Sequence, residues 1–121
     1  MVFIHDTRSA LLATVDLVNT HPSTSSEGED ALTTFADLDE FLSVHPYTGS
    51  IRHDEDELAE MREIRGRLRA LWEVDREGAV PLVNAMLHDG GALPRLVIHD
   101  DDDWHVHATS DDVPLATRIL V

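Results

Sequence analysis

The chain has no cysteine among its 121 residues. That excludes internal disulfides, thiolate catalysis and any cysteine-based zinc finger built from these residues alone. Uninterrupted apolar runs are missing too: no window approaches the roughly 18 residues a membrane span needs. The opening MVFIHDTRSA lacks the basic flank and long apolar stretch of a signal peptide, so the expected location is cytoplasmic. Basic residues are scarce, nine against 24 acidic ones, and all nine are arginine. A net charge of −15 repels phosphate backbones, because affinity for DNA comes largely from cations that displace counterions. Catalytic signatures are lacking as well: there is no nucleophile-elbow pattern, no glycine-rich phosphate loop and no HExxH, so an enzyme is not expected.

What is present fits one small domain over 1–121, with a hydrophobic fraction of 42% that suits a packed core. The organising stretch is Asp54 to Arg76. Leu58, Met61, Ile64, Leu68, Leu71 and Trp72 recur at spacings of three and four, which predicts one amphipathic helix over about 54–76. Asp54 and Glu57 read as a capping box, arginines crowd the second half, and Gly78 reads as the stop. Such a rod would be roughly 34 Å long, so the rest should pack along it.

In chain order, Met1 to Ile4 suits a short strand or arm. Ser9 then offers an N-cap for a helix over about 10–19, with Leu11, Leu12, Val15 and Val18 as its buried stripe and Leu17 on the flank. Ser23 to Asp30 is a polar loop, expected to be mobile. Thr33 or Thr34 begins a helix to about Val44 that carries Phe35, Leu38, Phe41 and Leu42, with Asp37 three residues after Thr34 in a box-like pattern. Pro81 fits the first turn of a helix to about His88. Two β-prone runs, about 95–99 and 104–109, flank the acidic loop 100–103 and predict a hairpin. The expected fold is therefore α+β: a mainly helical domain with a C-terminal β-hairpin packed on the long helix. Asp111 or Asp112 would cap a last, short helix bearing Leu115, Ile119 and Leu120, and its brevity suggests that the protein continues past Val121.

Several short motifs now align. Leu11-Leu12-x-x-Val15-Asp16-Leu17-Val18-Asn19-Thr20, Asp37-Leu38-Asp39-Glu40-Phe41-Leu42, Ile64-Arg65-Gly66-Arg67-Leu68-Arg69 and Leu82-Val83-Asn84-Ala85-Met86-Leu87 occur in that order, followed by a strand pair with a tryptophan. The set resembles ABATE, an N-terminal domain that usually precedes a CGNR-type zinc finger in stress-linked bacterial transcription regulators. The resemblance implies a division of labour in which the zinc finger contacts DNA and the ABATE domain modulates it. This chain holds no cysteine, so the DNA-binding role and its zinc map onto no residue here. DNA would be a partner only through a C-terminal module beyond these residues.

Three clusters are candidate sites. Asp16, Asn19 and Thr20, with Asn84, could form the floor of a ligand pocket; the alternative is that they satisfy helix termini and hold neighbouring elements in register. Arg62, Arg65 and Arg69 form a stripe able to meet a small anionic effector, or else to pair with the abundant acids. His99, His105 and His107 would share one hairpin face, which suits Zn²⁺, although histidines also sit readily on a solvated face. The expected role is that of an effector- or partner-sensing regulatory module that does not itself bind DNA. The alternatives are a metal-binding domain using the hairpin histidines, and a homodimerisation module pairing through the apolar positions of the last helix.

Overall fold

A computed structural model describes residues 2–47, 49–93, 95–97, 105–110 and 112–121, with the side chains of 2–6, 95–97, 105 and 106 outside that description. Five α-helices carry the architecture: α1 (Val2–Asn19), α2 (Phe35–Val44), α3 (Glu55–Ala70), α4 (Arg76–Asp89) and α5 (Leu115–Leu120). α1 and α5 pack on α3 and touch each other. The fold is helical, which overturns the α+β expectation. The predicted hairpin over 95–99 and 104–109 is not a layer of this fold. Among the described residues, pairing there covers three residues on each side, β1 (Arg95–Val97) antiparallel to β2 (His105–His107), with Leu96 opposite Val106. A two-stranded ribbon this short cannot support a core of its own. Among the described side chains, the buried apolar set comes from the five helices and Leu32. Residues 98–104, including His99 and Trp104, lie outside the described residues.

The central helix is shorter than its sequence implies. α3 ends at Ala70, and at 1.5 Å per residue its 16 residues span about 24 Å. The reason lies at Asp75, whose carboxylate accepts a hydrogen bond from the Gly78 amide at 2.8 Å and so caps a new helix. Gly78, expected as a stop, is thus in the first turn of α4, and Pro81 lies inside that helix rather than at its start. Trp72, assigned to the buried stripe, is 55% exposed in the intervening turn. The remaining stripe holds: Leu58, Met61, Ile64 and Leu68 are all buried.

At the start of α3, Asp54 accepts from the Glu57 amide at 2.7 Å, as a cap should. The Glu57 carboxylate does not return to the Asp54 amide. It is fully buried and accepts from the amides of Arg52 (2.9 Å) and His53 (3.0 Å). His53 adopts a positive φ of 56°, which turns its amide toward that carboxylate. At α2 the expected box forms in full, with Thr34 and Asp37 exchanging bonds to each other's amides, and Leu38 and Phe41 are buried as read.

α1 begins at Val2, so the strand or arm and the Ser9 cap give way to continuous helix. Its inward stripe is rotated from the predicted one: Ala13, Leu17 and Val18 are buried, whereas Leu11 and Leu12 are more than half exposed. Hydrophobicity alone could not separate these two adjacent faces; the small Ala13 permits close approach to the core, which a larger side chain would prevent. α5 starts after Pro114, not on a capping aspartate. Leu115, Ala116 and Ile119 are buried, so the last helix is docked and its apolar face is unavailable for the homodimer contact assigned to it. Gly90 makes this docking possible: a Cβ there would come within 2.3 Å of the Val121 side chain.

Candidate functional site

The arginines of α3 converge on the connection between α1 and α2. α1 ends where the Thr20 hydroxyl turns back to the Leu17 carbonyl at 2.6 Å, and Pro22 opens a 3₁₀ turn through Thr24. The chain loops out and returns, with the Ala31 amide bonding to the Thr20 carbonyl at 2.9 Å. Close ends joined over this length define an Ω-type loop. At its return, Asp30 Oδ1 accepts from the Leu32 amide at 2.8 Å, a tight aspartate turn that aims the fully buried Leu32 into the core.

Three guanidinium groups fasten this loop. Arg65 is 5% exposed and makes a two-pronged contact with Asp30, 2.8 Å on each branch, while also donating to the Thr20 hydroxyl at 3.0 Å. One turn earlier, Arg62 Nε donates to the Leu32 carbonyl at 2.7 Å. One turn later, Arg69 donates to His21 Nδ1 at 3.0 Å and lies 3.6 Å from Glu73. The same His21 nitrogen accepts from the Ser23 amide at 3.1 Å. The Arg65 guanidinium, assisted by the Leu32 amide, outweighs the effect of burial and holds the Asp30 carboxyl at about 2, below its ordinary 3.8. Paired, planar donors facing a carboxylate are the geometry in which arginine is strongest. Arg65 Nε is the exception, a buried donor with no hydrogen-bond partner among the described residues.

Of the candidate residues, the structure brings together Thr20, Arg62, Arg65 and Arg69. Asp16 turns elsewhere: its Oδ2 lies 2.5 Å from His45 Nε2, tying α1 to the end of α2. The Asn19 side chain is exposed, and its carbonyl accepts from the Thr24 hydroxyl at 2.6 Å. Asn84 is exposed on α4, a helix that contributes nothing to the arginine cluster. Of the hairpin histidines, His99 and the His105 side chain lie outside the described residues, and His107 is half-buried at the end of β2. Among the described residues, no group of three histidine, aspartate or glutamate side chains is placed to hold a metal ion.

Sequence reasoning missed Asp30, His21 and Leu32. Asp30 carries a local signal, since an aspartate two residues before an isolated leucine can form the observed turn. Its pairing with an arginine 35 residues away carries none.

The arginines that might have met an outside ligand are mostly engaged within the domain. Besides Arg62, Arg65 and Arg69, Arg52 pairs with Glu60, Arg67 with Asp89 at 3.0 Å, and Arg118 with the Ser50 carbonyl. The chain belongs to the ABATE family, described as "putative stress-induced transcription regulator", whose match covers residues 13–120. That family is one of transcription regulators rather than enzymes. Comparison with curated proteins gives no match. Among the described residues, no helix is long and apolar enough to cross a membrane.

Proposed function

We propose that this domain is the sensing half of a stress-linked transcription regulator, reading a small effector or a protein partner and leaving contact with DNA to a separate module. One observation carries the reading. In a chain of net charge −15, six of the nine arginines are engaged by carboxylates, carbonyls or an imidazole of the same domain. A DNA-binding surface needs several cations directed outward, and log affinity falls with log salt in proportion to their number. Internal engagement removes most of that supply.

The arginine-fastened loop is the natural responsive element. It is joined to α3 by the polar contacts of Arg62, Arg65 and Arg69, and the Arg69 side chain is about a third exposed. An anionic effector would compete there with Glu73 and His21, and further in with Asp30. A fluorescein-labelled DNA duplex, titrated at low salt, tests the first part: no binding is expected, and tight, salt-sensitive binding by this domain alone would reject it. Thermal midpoints measured against a panel of carboxylates and phosphates test the second part. A ligand that prefers the folded state must raise the midpoint, and the rise should disappear in Arg69→Ala.

A further inference from the structure

We propose that two copies of this chain associate through the outer face of α1, antiparallel and centred on Leu12. The inner face of α1 is occupied by Ala13, Leu17 and Val18 against the core. Its outer face carries Leu11 at 58% exposure, Leu12 at 51% and Val15 at 37%. At 100° per residue these three share an arc of about 140° with Arg8 and Asp16. Arg8 and Asp16 stand four residues either side of Leu12. A two-fold contact is self-complementary, so the residues on the N-terminal side of its centre in one helix meet those on the C-terminal side in the other. Centring the pair on Leu12 places Arg8 of each copy opposite Asp16 of its mate, with the leucines stacked between. The contact of Asp16 with His45 uses Oδ2 and leaves the side chain 56% exposed.

A matched pair of charges favours this face over the other exposed apolar strip. Two chains of net charge −15 repel, and they can approach closely only where the facing surface is neutral. Residues 7–19 contain one arginine and one aspartate, so this strip adds no net charge and offers a matched pair. The competing apolar strip, Val80, Val83 and Leu87 on α4, has no charged residue from Gly78 to His88 and therefore nothing to set orientation. The interface contact assigned from sequence to the last helix is replaced by this one.

Sedimentation equilibrium on the whole chain, from about 5 to about 500 µM, covers the range expected for a small interface. The weight-average mass should rise toward twice the chain mass, and should rise further with added salt as the net repulsion is screened. Leu12→Asp should hold the mass at one chain while circular dichroism and the thermal midpoint stay at their original values. Arg8→Asp, at an exposed position, should weaken association at least about fivefold and serves as the deciding variant if Leu12→Asp fails to fold. A single-chain mass at every concentration overturns the proposal. So does a dimer indifferent to both substitutions, or one abolished by Val83→Asp alone.

Discussion

Arg65 and Asp30, 35 residues apart in sequence, meet through two parallel hydrogen bonds of 2.8 Å, and the pair closes the connection between the first two helices onto the third. Neither partner acts alone. Asp30 also shapes the turn that inserts Leu32, and Arg65 also steadies Thr20, so one contact sets the geometry of both ends of the loop.

The pH dependence follows from the depressed carboxyl of Asp30. Its folded value of about 2 lies below the ordinary 3.8, so its stabilisation is full above about 4 and is lost as pH falls toward 2. Asp37, lowered chiefly by the amides of Thr33 and Thr34, acts in the same direction. Urea midpoints should therefore fall between about pH 5 and about pH 2.5. Asp30→Asn should begin lower at neutral pH and fall less over that interval. An unchanged slope in the variant contradicts the assignment.

Thr34→Ala removes the acceptor for the Asp37 amide at the start of α2. A loss of about 1 kcal/mol is expected from urea unfolding, with the helix otherwise intact by circular dichroism. Thr33→Ala is the comparison: its hydroxyl contacts Asp37 at 3.2 Å but caps nothing, so the change should be smaller.

Two glycine replacements should have opposite signs. Gly66 lies in the middle of α3 with nothing within 4 Å of the position a methyl would take, so Gly66→Ala should stabilise by about 0.5–1 kcal/mol. At Gly90 the same methyl would meet the Val121 side chain at 2.3 Å and the Met86 carbonyl at 3.1 Å. Gly90→Ala should destabilise by about 1–2 kcal/mol through displacement of the end of α5. Thermal midpoints of the two variants check this directly.

The local parts of this fold were legible in the sequence, and the choices between competing local signals were not. The α2 box, the buried stripe Leu58–Met61–Ile64–Leu68 and the family likeness could be read from spacing and motif. The break at residues 71–75 was misread because Leu71 and Trp72 continue the apolar period, while Asp75 offers a cap that competes with it and prevails. On α1 two apolar faces lie side by side, and only packing decides that Ala13 and Leu17 turn inward. The β-prone runs near the C-terminus pair over Arg95–Val97 and His105–His107 among the described residues, a ribbon too short to make a layer of the fold. At the candidate site, three of the arginines were identified by their spacing. Their partners were not, because a contact between the Asp30 turn and α3 depends on the folded path of the chain and leaves no periodic trace.

A double-mutant cycle on Asp30 and Arg65 tests the central claim most directly. Asp30→Ala alone leaves a buried guanidinium without its carboxylate and should cost about 3 kcal/mol. Arg65→Met alone should cost a similar amount, and the double variant should cost clearly less than the sum. The account predicts a coupling energy of about 2 kcal/mol from urea unfolding at neutral pH. A coupling below about 0.5 kcal/mol, with both single variants folded, would mean that the arginine stripe does not fasten the loop.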